Sequence, residues 1–96
     1  MFEAVLEMGG LFFTKVEDVL GGIKVADCYG EFGDKIVTPK DVARAVEAVL
    51  RGNEWEKTRT RKYVTLAVTN NDLGHIDGEA GDVLMQIAAL GKYTYA

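Results

Sequence analysis

The stretch TPKDVARAVEAVLRG, residues 38–52, contains a helix start signal, an apolar stripe and a stop signal in the right order. Thr38 can accept a hydrogen bond from the first turn, and Pro39 suits the first helical position because its missing N–H would be unpaired there. Gly52 is expected to provide a left-handed C-cap. The apolar stripe consists of Val42, Val46, Val49 and Leu50. We therefore predict a helix that packs one face on a neighbouring layer and leaves the other in water.

The composition indicates a single compact domain over residues 1–96, with 48% hydrophobic and 27% charged residues. No apolar run approaches the ~18 residues that a membrane span requires. Glu3 and Glu7 stand where a secretory signal would carry basic residues, so we expect a cytoplasmic protein without membrane contact. Cys28 is the only cysteine, so it cannot close an intramolecular disulfide, as is usual in a reducing compartment.

The net charge of -4 is distributed unevenly along the chain. Residues 1–34 contain seven acids and two bases, residues 35–68 contain eight bases and four acids, and residues 69–96 contain four acids and one base. This segregation favours a charged interaction surface more than the total charge alone suggests.

Strands are expected on both sides of the first glycine pair. Residues 2–8 alternate, with Phe2, Ala4, Leu6 and Met8 opposite the two glutamates, which predicts a half-buried strand. Gly9-Gly10 then predicts a hairpin into the apolar run at 11–16. Residues 14–17 also fit a capping box, so residues 14–20 are either a strand or a short helix ending at Gly21-Gly22.

The remaining chain contains further strand and helix patterns. Residues 23–29 and 35–37 predict a second hairpin. Arg59–Thr69 has the clearest alternation, which sends Val64, Leu66 and Val68 to one side of a predicted strand. A second helix is predicted over residues 79–90, with Asp77 or Asp82 near its start and Gly91 as its stop, followed by a short strand at 93–96.

These elements predict an α+β fold, specifically a two-layer sandwich in which a mostly antiparallel sheet of 4–6 strands carries two helices on one face. The opposite face of the sheet is then uncovered. Its expected residues are Tyr63, Thr65, Thr69, Tyr93 and Tyr95.

The uncovered face and the basic strand before it form the predicted partner surface. Tyrosine is enriched where proteins meet, because its body is apolar and its tip is polar. The predicted partner-binding residues are Lys57, Arg59, Arg61, Tyr63, Thr65, Tyr93 and Tyr95. The main hypothesis is a small non-enzymatic domain that regulates or inhibits a protein partner, with a homodimer as one form of that contact.

Nucleic-acid binding is the first alternative. Four bases within residues 57–62 precede Tyr63, and bases at this density can neutralise phosphates while the ring stacks on a base. A period of two sends Lys62 to the opposite side, which makes the patch smaller. In a variant of this hypothesis, the acidic ends of the chain block the basic surface of a nucleic-acid-processing enzyme.

Enzyme hypotheses have less support. Asp72, His75, Asp77 and Glu79 are potential metal ligands, but acids before a helix are better explained by capping and dipole effects. Cys28 and His75 are a conceivable nucleophile and base of a hydrolase. The segment GEFG, residues 30–33, favours a turn over a phosphate loop, because Glu31 and the following Asp34 would repel an anion. We therefore expect no catalytic set, metal or cofactor.

Overall fold

A computed structural model describes residues 1–8, 13–52, 59–70, 74 and 76–93. In chain order the elements are α1 (Phe2–Met8), β1 (Phe13–Val19), β2 (Gly22–Asp27), β3 (Asp34–Val37), α2 (Pro39–Arg51), α3 (Arg59–Thr69) and α4 (Gly78–Leu90). The predicted α+β class with an antiparallel sheet is confirmed. The predicted count of 4–6 strands and two helices does not match, because the described residues form three strands and four helices.

The sheet has the strand order β1-β2-β3, and both pairs are antiparallel. β1 and β2 are joined through Leu20 and Gly21, where Gly21 has a φ of 82° that suits glycine. β1 covers most of residues 14–20, so the strand alternative for that segment is confirmed and the short helix is wrong. The face towards the helices buries Phe13, Ile23, Val25 and Val37.

The predicted helix of residues 38–52 is confirmed as α2, and its start is a capping box. The Asp41 N–H donates to Thr38 Oγ1 at 3.2 Å, and the Thr38 N–H donates to Asp41 Oδ2 at 3.0 Å. The left-handed C-cap is wrong, because Gly52 has a φ of -79°. Its N–H instead continues the helical pattern by donating to the Ala48 carbonyl at 2.9 Å.

α4 is the central helix of the described chain. It contacts α1, α2, α3 and β3, and its residues 80–86 are all buried. Asp77 caps its start by accepting the Ala80 N–H at 2.8 Å, and Gly91 ends it with a φ of 84°, as predicted. Gly81 lets α1 approach closely, since a Cβ there would lie 2.6 Å from the Met8 Cβ.

The predicted strand at residues 2–8 is wrong, because this segment forms α1. Val5, which the alternating pattern placed beside the glutamates, is the fully buried residue of the helix. A helix satisfies its own backbone hydrogen bonds and buries one stripe against α4, which a lone strand at this position would not do.

The predicted strand at Arg59–Thr69 is also wrong, because this segment forms α3. Its buried residues are Thr60, Val64 and Ala67, at the helical spacing of four and then three. The tertiary contacts with α2 and α4 thus override the strand preference of its β-branched residues.

The predicted hairpin through Gly9-Gly10 is also wrong, because its first strand is the helix α1; the two glycines themselves lie outside the described residues. The predicted strand at residues 93–96 lies outside them as well, apart from Tyr93.

Candidate functional site

The tyrosine and threonine face predicted from an alternating strand does not exist in α3. Tyr63 packs against the core, whereas Thr65 is exposed. Two residues along a helix differ by roughly 200° around its axis, so these two side chains point to different sides. The predicted partner surface assumed a strand at Arg59–Thr69, and that assumption is wrong. Partner binding by the individual residues stays a prediction.

Three of the other predicted partner-binding residues, Arg59, Arg61 and Tyr93, are among the described residues. Arg59 begins α3, and Arg61 is half-buried one turn before Thr65. Tyr93 follows the end of α4 and is 38% exposed. Lys57 and Tyr95 lie outside the described residues.

Two of the four potential metal ligands, Asp77 and Glu79, are among the described residues. Asp77 is occupied as the cap of α4, which confirms the capping interpretation for that residue, and Glu79 is exposed in the first turn. Asp72 and His75 lie outside the described residues. Within residues 1–8, 13–52, 59–70, 74 and 76–93, no three histidine, cysteine or acidic side chains are grouped so that they could hold a metal.

The loop between β2 and β3 is a turn organised by Asp27. The Asp27 carboxylate is buried and accepts the N–H groups of Glu31 and Phe32, each at 3.2 Å. Gly30 has a φ of 68°, which suits glycine. The predicted turn is therefore confirmed. The N–H groups of Glu31 and Phe32 donate to the Asp27 carboxylate of the same chain rather than to a bound anion. Cys28 is exposed in this turn, just beyond the end of β2.

The strongest candidate surface is a groove between α1, α2 and α3, which we call the apolar groove. Its volume is about 440 Å³. The described residues that line it are all apolar: Met1, Phe2, Pro39, Val42, Ala43, Val46 and Val68. Val68 is 51% exposed, and Ala43 is also exposed, so this surface is open to a ligand. Exposed apolar patches that are contiguous commonly mark binding sites.

The apolar groove is built from the side flanks of its helices. On α2 the buried stripe is Val42, Ala45 and Val49, and a second apolar row runs beside it. That second row is Pro39, Ala43, Val46 and Leu50, at spacings of four, three and four residues. This spacing was readable in the sequence. The sequence patterns do not predict the walls supplied by α1 and α3, because both segments alternate as strands do.

The acidic residues of α1 and α2 differ in their ion pairs. On α2, Asp41 is paired with Arg44 at 3.4 Å, and Glu47 is paired with Arg51 through a short ion pair of 2.6 Å. On α1, Glu3 and Glu7 are exposed and one helical turn apart, and they line a separate cleft with Ala4, Met8, Gly74 and Ile76. The four ion pairs found among the described residues involve neither of these glutamates.

A buried polar pair lies along α4. Asp82 is 4% exposed and Gln86 is fully buried, and Gln86 Nε2 donates to Asp82 Oδ2 at 3.1 Å. Asp82 Oδ1 is buried and has no hydrogen-bond partner among the described residues. Burial raises the pKa of the Asp82 carboxyl above its ordinary value of 3.8, and the Gln86 hydrogen bond opposes part of that rise. Desolvation, followed by the charges of Asp82 and Glu79, also raises the pKa of Tyr93.

Asp82→Asn is expected to raise the free energy of unfolding at pH 7 by about 1 kcal/mol, because it removes a desolvated charge, although the amide Nδ2 then takes the unpartnered position of Oδ1. A carboxyl with a raised pKa in the fold contributes most stability below its unfolded pKa, and this contribution is lost as pH rises through the folded pKa. The gain from asparagine should therefore grow from pH 4 to pH 7 in urea unfolding. Asp34→Asn, which changes an exposed carboxyl, is the control. A gain that is independent of pH would contradict this assignment.

Comparisons with protein-family models, curated proteins and solved structures find no match. No helix among the described residues is long and apolar enough to cross a bilayer. Function is therefore inferred from the surfaces of this chain alone.

Proposed function

We propose that this chain is a non-enzymatic protein-binding domain, which regulates or inhibits a partner by seating an apolar segment of that partner in the apolar groove. One observation carries the proposal: the described residues that line the groove are all apolar, and three helices contribute to them. A groove of this kind fits the mode in which side chains of one protein insert between helices of another.

The stability of the fold does not account for an open apolar groove. The buried core already contains the inward stripes of α2, α3 and α4, including Val49, Val64 and Leu84. Val68 and Ala43 lie beyond those stripes and remain in water. Covering them with a partner removes apolar surface from water, which contributes about 25 cal/mol per Å² before the costs of association.

The groove favours a protein over a nucleic acid as its occupant. The described lining contains no Lys or Arg, whereas phosphate contacts supply most of the affinity for nucleic acids. Four cations elsewhere are already paired with acids: Lys15, Lys24, Arg44 and Arg51. Nucleic-acid binding by residues 57–63 remains the alternative that the following experiment separates.

Ala43→Glu is expected to weaken partner binding at least tenfold, because it places a carboxylate in an apolar contact. The matched control is Ala48→Glu, which makes the same change at another exposed alanine of α2, outside the groove. The measurement is affinity capture from the native source with and without nuclease, followed by titration of the captured protein.

Retention of the partner by Ala48→Glu and its loss by Ala43→Glu are the results that support the groove. Equal capture by both variants would place the binding site elsewhere. Capture that disappears after nuclease treatment would instead favour the nucleic-acid alternative.

A further inference from the structure

We propose that a second copy of this chain covers the apolar groove in the free protein, by packing its α2 antiparallel against α2 around Ala43. This inference rests on the proposed protein-binding groove and adds how that groove is regulated, because another protein then has to displace the second copy. The contact pairs Lys40 of each copy with Glu47 of the other.

Ala43 is the centre of the proposed contact. It lines the groove and is exposed, and its single methyl group lets a second helix approach closely. Its neighbours on the helix surface are the residues three and four positions away. Pro39 and Val46 are the two neighbours that line the groove, and they lie on one side of Ala43. With about 100° of rotation per residue, the exposed Lys40 and Glu47 lie on its other side.

A two-fold axis between antiparallel helices makes this patch self-complementary. At a rise of about 1.5 Å per residue, Lys40 lies about 4.5 Å before Ala43 along α2, and Glu47 lies about 6 Å after it. Reversing one helix about Ala43 therefore brings Lys40 of one copy almost level with Glu47 of the other. The symmetry forms this pair twice. On the apolar side, the same operation places Pro39 of each copy against Val46 of the other.

The charges favour the antiparallel arrangement over a parallel one. In a parallel pair of α2 helices, Lys40 would face Lys40 and Glu47 would face Glu47, and both contacts are repulsive. Lys40 takes part in none of the four ion pairs found among the described residues. Glu47 has one ion pair, with Arg51, and a carboxylate has the capacity to accept from a second cation. A second copy therefore supplies the partner that Lys40 lacks in the described part of the chain.

The contact is small, so the expected dimer is weak. It uses one face of α2 and the groove beside it in each copy, whereas stable interfaces take about 20–30 residues from each side. Dilution should therefore open the groove. A partner that binds the open groove more tightly should displace the second copy by mass action.

Sedimentation equilibrium of the purified chain, from about 10 µM to about 1 mM, measures the dimer. We expect the fraction of dimer to rise across this range. Ala43→Glu should weaken the dimer at least tenfold, because it places two carboxylates at the centre of the contact. Ala48→Glu, at an exposed alanine of α2 outside the groove, should leave it unchanged. A monomer at every concentration, or a dimer that Ala43→Glu leaves intact, would overturn the inference.

Exchanging the two charges tests the antiparallel contact itself. Lys40→Glu leaves only carboxylates on the charged side of the contact, and Glu47→Lys leaves only cations. Each variant alone should therefore weaken the dimer by about fivefold or more. An equimolar mixture of the two variants should dimerise again, because every carboxylate then faces a lysine. A mixture that stays as weak as the separate variants would contradict the pairing of Lys40 with Glu47.

Lys62→Glu is the matched control for net charge. It makes the same charge change as Lys40→Glu at an exposed lysine of α3, outside the groove, and should leave the dimer unchanged. Equal weakening by Lys62→Glu and Lys40→Glu would assign the effect to general repulsion and overturn the inference. Circular dichroism checks that each variant remains folded.

The failure of this inference and the failure of the proposed function give different results. If the chain is monomeric and Ala43→Glu loses the captured partner, the groove binds another protein and the second copy is wrong. If Ala43→Glu dissociates the dimer but captures the native partner as well as Ala48→Glu does, the second copy covers the groove and the partner binds elsewhere.

Discussion

Gly81→Ala is expected to lower the free energy of unfolding by about 1–3 kcal/mol, the usual range for overpacking. The added Cβ would lie 2.6 Å from the Met8 Cβ and 2.8 Å from its carbonyl carbon. The second of these atoms is backbone, so α1 must move away from α4 as a unit. Alanine favours a helix over glycine by up to about 1 kcal/mol, which offsets only part of this cost.

Gly78→Ala is the matched control, because it makes the same change in the first turn of α4. A Cβ at Gly78 meets nothing within 4 Å, so this variant should be neutral or slightly stabilised. Urea unfolding of both variants measures the difference. Equal stabilities would show that α1 does not pack on α4 at this glycine.

The displacement of α1 that is expected in Gly81→Ala also has a functional consequence. α1 carries Phe2 into the apolar groove. A displaced α1 widens the groove, so Gly81→Ala should also weaken partner capture while the chain remains folded. Gly78→Ala should capture the partner normally.

Gly22→Ala is expected to destabilise the fold by about 2–3 kcal/mol, in the upper part of the overpacking range. A Cβ at Gly22, the first residue of β2, would overlap the carbonyl oxygen of Val37 in β3. Neither atom can turn aside as a flexible side chain does. The two strands must separate near Val37, which is fully buried and directly precedes the Thr38 cap of α2.

Thermal unfolding measures this effect, since 1 kcal/mol corresponds to roughly 4–8 °C in Tm for a chain of this size. Gly78→Ala is again the control, because a Cβ at Gly78 meets nothing within 4 Å. A Tm for Gly22→Ala within a degree or two of the unchanged chain would contradict the close packing of β2 and β3.

The parts of the fold that were predicted correctly have local causes. Thr38 and Asp41 cap α2 through bonds three residues apart, and Gly91 ends α4 in the left-handed conformation. The hairpin of β2 and β3 follows from apolar runs separated by a glycine-containing turn. Such signals lie within a few residues of the structure that they determine.

The two segments that were predicted as strands, residues 2–8 and 59–69, form helices because of contacts with distant parts of the chain. Residues 2–8 fit an alternating strand pattern, and Phe2, Val5 and Leu6 also fit a helical spacing. Packing on α4 favours the helix. In α3 the buried stripe contains Thr60 and Ala67, which hydrophobicity alone marks weakly. The local preference of valine and threonine for strands was therefore the stronger sequence signal.

The candidate site could be predicted only in part for the same reason. The second apolar row of α2 is visible in the spacing of Pro39, Ala43 and Val46. The groove also requires Phe2 and Val68 on neighbouring helices, and the sequence patterns assigned both residues to strands.

Hydrogen–deuterium exchange of the captured complex, compared with the free chain, tests the groove most directly. Binding in the apolar groove should slow exchange in α1, in the first two turns of α2 and at the end of α3 around Val68. The β1–β2 hairpin, which exposes Val16 and Leu20, should be unchanged and serves as the internal control. Protection confined to that hairpin, with the three helices exchanging as in the free chain, would contradict binding in the apolar groove.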